Sequence, residues 1–512
     1  MNAATLASRL LTERPRPRGI AGWRHAHWLA VATVCLGAFL GQLDASVIAL
    51  VFPAIGRDFD AGFAAVEWVA LAYLLVLVAL LAPIGWLSDR VGRKTMYIGG
   101  FAVFGLASLG AGFAGGLWAL VGCRAVQAVG AAMMQANSVA LVARGVPERA
   151  MRRALGIQAS AQGLGLALGP SLGGLLVEHA SWRWVFWVNV PIAVFGIVAG
   201  WYLLPRTRTC ASAAPAVPAA VPGPRLAGAG HSEARLSEAR LSEARHSEAR
   251  LSEARLDGPR EDGRFDLPGM LLLTGATTAL LLALSTASGL PLPGWAVAAL
   301  LLASTALTLA LVRQERRAAR PILAPGLINT PGVRSGLLVA LIGYLLLFCP
   351  LVLGPVLLTG AGVSTAHAGL VVTLLPAAFA FAATVGGGLL PGAWRDATRC
   401  RFGALLAAAG LLLFALLPAS VAAAPPLLVA GYGLGLLLPA NNALVMRTIP
   451  AQCSAVGGGM VNMARSLGTA LGMALSVLGV HLAGAESGGR TVLLILAAVA
   501  AAAALLTRPT RA

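Results

Sequence analysis

The sequence predicts an all-α integral membrane protein, and three observations lead to this fold class. First, 58% of the 512 residues are apolar and only 11% are charged, whereas soluble domains carry roughly 25% charged residues. Second, apolar runs that reach the roughly 20 residues needed to cross a bilayer recur along the whole chain. Third, these runs are continuous and rich in Ala, Leu and Gly, unlike the short alternating segments of a transmembrane barrel.

Fourteen apolar runs are long enough to be transmembrane helices. Six of them precede a long polar stretch and eight follow it. We place the spans near residues 28–52, 66–87, 96–113, 117–142, 154–177, 184–204, 267–288, 294–312, 335–358, 367–390, 402–420, 424–446, 454–480 and 491–506. The first run is too long for the core of a signal peptide, so we interpret it as a retained helix.

The basic residues indicate how the chain is oriented. The formal net charge of +18 would suggest a nucleic-acid partner in a soluble protein, but here the charge flanks spans and we expect no such partner. With the N-terminus inside, three of the 38 basic residues face outside, namely Arg57, Arg183 and Arg490. Two more, Arg124 and Arg465, lie within spans, and the remaining 33 are inside. The positive-inside rule therefore predicts that both ends of the chain are cytoplasmic.

Residues 205–264 break the apolar pattern and divide the chain. They contain five copies of "SEAR" at a five-residue period, which rotates by about 140° per step on a helix and therefore forms no single apolar stripe. We predict a low-complexity cytoplasmic linker. The other predicted regions are a cytoplasmic N-terminal tail (1–27), an N-terminal six-helix half (28–204), an inserted helix pair (265–312), a C-terminal six-helix half (335–506) and a cytoplasmic tail (507–512).

A cluster of charges interrupts the apolar pattern in "PIGWLSDRVGRKTMYIGG", residues 83–100. Its spacing, G-x-L-S-D-R-x-G-R-K, resembles the signature loop of the major facilitator superfamily. The resemblance implies a gating loop that latches the two halves on the cytoplasmic side, and glycines would allow a tight passage between helices. The matching residues are Gly85, Asp89, Arg90, Gly92, Arg93 and Lys94. The alternative is an ordinary positive-inside loop with incidental charges.

Asp44 is an acidic residue well inside an apolar run. Its surroundings, "LDASVIALVFPAI", resemble the first-helix motif of the drug:proton antiporters, with Asp44 and Pro53 in register but Ser46 and Ala49 departing from the pattern. An ionised carboxylate is costly in the hydrocarbon region, so Asp44 is a candidate for binding and releasing protons. The alternative is a structural acid with a buried partner.

Arg124 lies inside the fourth span, in "RAVQAVGAAMMQANS". The stretch resembles the fourth-helix motif of the same family, whose arginine is implicated in proton coupling. An intramembrane arginine faces a partner or an aqueous cavity. We therefore expect a relationship between Arg124 and Asp44.

A stripe of glycines follows in the fifth span, "GLGLALGPSLGG". Gly165, Gly169 and Gly173 are four apart on one helical face, and Pro170 removes a backbone hydrogen bond, so helices can approach closely and hinge here. Small-residue packing alone says little about function. Together with the following "WRWVFWVNVPIA", the stripe resembles the motif of exporters in this superfamily, which implies the direction of transport.

The resemblance extends over nearly the whole chain apart from the N-terminal tail and the linker. "RFDLPGMLLL", "AGVSTAHAGLVVTLLP" and "NMARSLGTALGMA" look like the 14-helix branch of drug:proton antiporters. It implies the major facilitator fold, with two six-helix halves plus two inserted helices. "PGAWRDATRCR" repeats the gating loop incompletely in the second half, which is consistent with an ancient duplication.

Six further polar residues within spans are candidates to line a central cavity: Gln127, Gln158, Gln162, Asn441, Asn442 and Arg465. For each uncharged member, a helix-to-helix hydrogen bond is an equal alternative. The six cysteines show no C-x-x-C spacing, so we interpret them as buried hydrophobes and expect no metal.

These observations predict a secondary active exporter that exchanges protons for a small hydrophobic or amphipathic compound by alternating access. Its partners would be that substrate, protons and the lipid bilayer of the cell membrane, and we expect a monomer. We expect no cofactor beyond the proton gradient, because the sequence has no G-x-x-x-x-G-K-[ST] loop. An enzyme is disfavoured because H-E-x-x-H is absent and the spans contain no paired aspartates. The alternatives are an exporter of a specific metabolite, amino acid or lipid, and a non-transporting sensor.

Overall fold

The computed structural model describes residues 16–17, 23, 25–207, 266–318, 328, 330–386, 394–418, 420–449 and 454–506. Nearly all of the predicted linker and both tails lie outside these residues. Within them the chain forms fourteen long helices, in agreement with the fourteen predicted spans. They are α1 (Ala26–Asp58), α2 (Trp68–Val91), α3 (Arg93–Gly112), α4 (Leu117–Gly145), α5 (Glu148–His179), α6 (Asn189–Leu203), α7 (Leu267–Ala287), α8 (Trp295–Arg317), α9 (Pro331–Gly360), α10 (Thr365–Phe381), α11 (Asp396–Leu416), α12 (Ala424–Thr448), α13 (Ser454–Ala483) and α14 (Gly489–Leu506).

Thirteen apolar helical segments of the described chain are long enough to cross a membrane. The last of them, Gly457–Leu505, has 49 residues, more than twice the roughly 20 that one crossing needs. It contains both α13 and α14, joined by a π-helical turn at Gly484–Gly488. The predicted all-α integral membrane fold is therefore confirmed.

Helices α1–α6 and α9–α14 form two halves with matching internal packing. In the first half α5 packs against α1 and α3 against α4, and in the second half α13 packs against α9 and α11 against α12. The halves meet where α2 contacts α13 and where α5 contacts α10. In both places the second helix of one half meets the fifth helix of the other, as a twofold-related pair of repeats requires.

The inserted helices α7 and α8 lie at the edge of this bundle. Helix α7 contacts α2 and α13, and α8 packs against α7. Large apolar side chains of α8 remain exposed, among them Leu302 (72%) and Leu309 (57%). A long apolar face of this kind is suited to contact with lipid acyl chains.

The predicted gating loop is much shorter than the charge cluster suggests. Helix α2 continues to Val91 and α3 begins at Arg93, so only Gly92 separates them. Gly92 has φ +111°, a conformation that glycine adopts readily. Gly85 instead lies within α2, where an added Cβ would meet nothing within 4 Å, so its expected role in the tight passage is wrong. The side chains of Asp89 and Arg90 lie outside the described residues.

Lys94 connects the start of α3 to the end of α6. Its side chain is 2% exposed, and its Nζ donates hydrogen bonds to the carbonyl oxygens of Trp201 and Leu204, both at 2.9 Å. A cation at a helix C-terminus satisfies carbonyl groups that lack helical partners and interacts favourably with the helix dipole. Lys94 therefore fixes two helices within the first half.

Candidate functional site

Asp44 and Arg124 form a buried ion pair between α1 and α4. The Arg124 Nη1 atom lies 2.6 Å from Asp44 Oδ2, and each side chain is only 1% exposed. The relationship expected from the sequence is thus a direct contact. Because both charges are removed from solvent, each depends on the other for compensation.

Two amides complete the surroundings of the Asp44 carboxylate. Gln127 Nε2 and Asn189 Nδ2 donate hydrogen bonds to Asp44 Oδ1 at 2.9 and 3.0 Å. Gln127 Nε2 also lies 2.8 Å from Ser108 Oγ. The predicted placement of Gln127 on a cavity wall is therefore wrong, because its amide is engaged in this buried network. Asp44 joins α1 to α4 and α6.

The Arg124 guanidinium is enclosed on its remaining sides. Its Nε donates to the Val69 carbonyl oxygen at 2.9 Å, and its Nη1 donates to Gln127 Oε1 at 2.5 Å. The guanidinium carbon lies 4.4 Å from the Tyr73 ring centroid and 5.8 Å from that of Phe186, where a cation–π attraction operates. Arg124 is therefore held by α1 and α2 as well as by its own helix.

The glycine stripe of α5 packs directly behind the turn of α1 that carries Asp44. An added Cβ at Gly165 would collide with the Phe39 carbonyl oxygen, and one at Gly169 would collide with Ser46 Oγ. At Gly173 the added Cβ would lie 2.7 Å from Val47 Cγ2. The close approach predicted from the sequence is observed, and it leaves no room for a side chain.

The opposite face of α5 contacts the second half. A Cβ at Gly369 of α10 would lie 2.5 Å from the Pro170 carbonyl oxygen. Near the end of α5, Glu178 Oε2 accepts a hydrogen bond from the Ala366 backbone N–H at 2.6 Å. Helix α5 therefore connects the helix that carries Asp44 to the other half of the protein.

A small central cavity of about 40 Å³ lies between the halves, next to the ion pair. Its lining residues come from α1, α2, α4, α9 and α13: Gly41, Gln42, Ala45, Tyr73, Leu74, Leu77, Gln135, Tyr344, Phe348, Asn462, Arg465, Ser466 and Thr469. An adjoining cavity of about 20 Å³ shares Gly41, Gln42 and Gln135 with it and reaches Gln162. Predicted cavity positions at Gln162 and Arg465 thus agree with the structure.

Comparison with known families identifies the fold. The profile of the Major Facilitator Superfamily matches residues 34–473. The chain belongs to the Major Facilitator Superfamily. Solved structures agree: a POT family transporter in complex with a thioalcohol-conjugated peptide superposes with a TM-score of 0.59 at 14% identity, covering 97% of this chain and 98% of that one. At this identity the likeness concerns the fold alone.

Each of three curated relatives matches a part of the chain. The riboflavin transporter RibZ of Clostridioides difficile is 32% identical over 179 residues, which cover 35% of this chain and 39% of RibZ. The tetracenomycin C resistance and export protein of Streptomyces glaucescens is 34% identical over 197 residues, covering 38% and 37%. The multidrug resistance protein MdtD of Salmonella heidelberg, whose assignment is provisional, is 28% identical over 338 residues, covering 66% and 61%. The matched stretch thus spans less than two thirds of each relative.

Arg465 is the charged residue among those that line the central cavity. Its guanidinium carbon lies 4.5 Å from the Tyr344 ring centroid, and Nη1 donates to Asn462 Oδ1 at 3.3 Å. No described carboxylate lies within 4 Å of it. The cavity therefore offers a positive charge, aromatic rings and amides. Among the described residues, no group of three or more His, Cys, Asp or Glu is placed to hold a metal ion.

Three predicted cavity residues are not on the walls of these two cavities. Asn441 is 2% exposed and donates to the Gly336 carbonyl oxygen at 2.9 Å, which is the alternative of a helix-to-helix hydrogen bond. Gln158 is 4% exposed and lines neither cavity. Asn442 also lines neither of them. Their placement on a cavity wall stays a prediction for Gln158 and Asn442, whereas Asn441 bonds between helices.

The structure places three residues around the ion pair that the sequence did not indicate as site residues. Asn189 bonds directly to Asp44, Ser108 contacts Gln127, and Tyr73 covers Arg124 while lining the cavity. A signal existed for Asn189, since it is a polar residue in the stretch that resembles the exporter motif. Tyr73 and Ser108 lie in apolar runs where tyrosine and serine are common, and only the fold brings them to the site.

Proposed function

We propose that the chain is a secondary active transporter of the cell membrane that exports a small hydrophobic or amphipathic compound in exchange for protons. The observation that carries this proposal is the buried Asp44–Arg124 pair beside a central cavity between two repeats. A proton-driven exporter needs a carboxylate that can be protonated and a binding space whose access changes with it. Asp44 and the central cavity are the candidates for these two parts, and Tyr73 covers Arg124 and also lines the cavity.

Protonation of Asp44 would change the contacts among three helices. In its ionised form, Asp44 accepts hydrogen bonds from Arg124 and Gln127 of α4 and from Asn189 of α6. A proton on the carboxylate removes the charge that compensates Arg124, so the pair loses most of its attraction. Ionised and protonated forms therefore favour different helix arrangements, which is the requirement for coupling proton binding to a population shift.

The glycine face of α5 supplies a path for this change to reach the second half. Helix α5 touches α1 beside Asp44 through Gly165 and Gly169, and it touches α10 beside Pro170. Interfaces built from small residues have few protruding side chains to interlock, so such helices can shift against each other. Movement of α1 would thereby alter the contact between the halves.

Export of drug-like compounds is favoured by the exporter-type motif and by the relatives' names. MdtD and the tetracenomycin C resistance and export protein are named for resistance or export. A second candidate is a transporter of one specific metabolite, since RibZ is named as a riboflavin transporter. A role as a sensor without transport is the remaining alternative. The arginine distribution favours cytoplasmic termini.

The test is dye transport by purified protein in proteoliposomes with an imposed pH gradient. Dyes of both charges are included, and the proton movement is followed with a trapped pH indicator. The proposal expects dye movement that stops when an uncoupler is added and that is lost in Asp44→Asn. Arg447→Gln is the control, because its side chain is 74% exposed and does not line the cavity. Dye movement that is independent of the gradient would refute proton coupling, and no movement of any dye would refute transport of this compound class.

A further inference from the structure

The central cavity carries a positive charge, and no described carboxylate lies within 4 Å of it. Among the described acidic residues, Asp44 lies well inside a span and Glu67 immediately precedes α2. Asp44 is engaged by Arg124. Glu67 is fully buried, accepts a hydrogen bond from Ser285 of α7 and is not on the cavity wall. Arg465 is thus the one charged residue among the described residues that line this space.

The polar groups around Arg465 add hydrogen-bond donors. Tyr73 is 2% exposed, and its hydroxyl finds no hydrogen-bond partner among the described residues. An unpaired buried hydroxyl is unfavourable, so an acceptor brought by a ligand would pair with it. The amides of Gln42 and Gln135 also face this space, and each can donate or accept.

Aromatic rings form another part of the same wall. The rings of Tyr344 and Phe348 lie with their centroids 6.5 Å apart and their planes 21° apart, and both residues line the cavity. Nearly parallel rings present flat surfaces on which a planar molecule can stack. The cavity measures about 40 Å³ in this conformation, so a drug-sized ligand, which needs about 300–1,000 Å³, would enter when the halves separate.

We propose that this cavity binds planar aromatic compounds that carry an acidic or carbonyl oxygen, neutral or anionic, in preference to lipophilic cations, and that Arg465 recognises this oxygen. An anionic oxygen would receive charge-assisted hydrogen bonds from the guanidinium while the ring system stacks on the aromatic wall. A lipophilic cation would instead meet the Arg465 charge in a poorly solvated space without a carboxylate to offset it. Transport of the bound compound rests on the proposed exporter function, whereas the binding preference does not.

The test uses two dyes that share one ring system and differ in charge. Fluorescein is an anionic xanthene at pH 7 and rhodamine 123 is a cationic one. Binding of each dye to the purified full-length protein is followed by fluorescence anisotropy. We expect wild type to bind fluorescein at least about tenfold more tightly, and Arg465→Gln to weaken fluorescein binding by about tenfold or more. Rhodamine 123 binding should stay the same or improve.

Two further variants control for folding and for net charge. Arg465→Lys keeps the charge and should keep the preference for fluorescein with reduced affinity, because the planar fork of arginine is lost. Arg447→Gln removes an equal charge at an exposed position and should bind both dyes as wild type does. The proposal is overturned if rhodamine 123 binds as tightly as fluorescein, if Arg465→Gln leaves fluorescein binding unchanged, or if neither dye binds.

The same samples separate this inference from the proposed function. Preferential fluorescein binding without gradient-driven movement of any dye would support the inference and refute the exporter. Gradient-driven movement of rhodamine 123 in preference to fluorescein would support the exporter and overturn the inference.

Discussion

Arg124 and Arg465 are two intramembrane arginines, one in each half, whose surroundings differ in one decisive respect. Arg124 is fully buried and lies 2.6 Å from a carboxylate. Arg465 lies at the cavity, donates to Asn462 and stacks on Tyr344, and no described carboxylate lies within 4 Å of it. One positive charge is therefore neutralised inside the protein, and the other is offered to the space between the halves.

In the proposed function, the two arginines would respond to different events. A cation that is paired with a carboxylate responds to protonation of that carboxylate. A cation without an acidic partner responds to the charge of a ligand. Tyr73 lies between the two, because its ring covers Arg124 and also lines the cavity that contains Arg465.

The largest expected effect comes from breaking the neutralised pair. Arg124→Gln would leave the Asp44 carboxylate buried without a cation, and removal of one partner of a buried pair typically lowers the free energy of unfolding by about 3–5 kcal/mol. Titration of the purified protein with a denaturing detergent, followed by tryptophan fluorescence, measures this change. The double variant Asp44→Asn/Arg124→Gln should regain much of the stability but none of the coupling. Purely additive losses in the double variant would contradict the pairing.

A side chain on the glycine face tests whether α5 supports the pair. Gly169→Val would place methyl groups against Ser46 Oγ, and overpacking of this kind typically costs about 1–3 kcal/mol of unfolding free energy. We expect the same titration to show this loss, together with weaker dye transport. Gly85→Ala is the control, since an added Cβ there meets nothing within 4 Å. Equal effects of the two substitutions would contradict the close packing of α5 on α1.

Glu67 is a buried acid that, unlike Asp44, forms no described ion pair with an arginine. It accepts a hydrogen bond from Ser285, and no described ion pair includes it. Glu67→Gln leaves no orphaned cation and keeps an acceptor for Ser285, so the unfolding free energy should change by less than about 1 kcal/mol. Gradient-driven dye transport should also persist. A loss of coupling as complete as that of Asp44→Asn would show that Asp44 is not the sole proton-carrying acid.

The smallest effect is expected at a solvated ion pair. Arg183 Nη1 lies 3.0 Å from Asp58 Oδ2, with side chains 31% and 41% exposed. Such pairs contribute about 0–1 kcal/mol, so Arg183→Gln should leave both stability and transport close to wild type. A loss comparable to that of Arg124→Gln would mean that burial does not distinguish these pairs.

The sequence was sufficient to predict the fold and the relationship between Asp44 and Arg124. Long apolar runs predict the fourteen helices, and an acid and an arginine inside such runs have few ways to exist except as partners. Spacing also predicted the glycine contact between α5 and α1, because residues four apart share a helical face.

The cavity was harder to predict because it depends on how helices rotate against one another. Gln127 and Asn441 are as polar as Gln162, yet Gln127 and Asn441 bond within the helix bundle while Gln162 lines a cavity. Tyr73 and Phe348 are indistinguishable in the sequence from other aromatic residues in spans. The helix ends next to the gating loop differ from the prediction. The predicted spans end at 87 and begin again at 96, whereas α2 continues to Val91 and α3 begins at Arg93.

In the proposed function, Asp44 binds or releases a proton when a compound binds in the cavity. Its most direct test is proton release from purified protein in weakly buffered solution, recorded with a pH indicator as fluorescein or rhodamine 123 is added. We expect dye binding to change the number of protons bound to wild type, and to leave the number bound to Asp44→Asn unchanged. An equal proton change in Asp44→Asn, with equal dye binding, would contradict it.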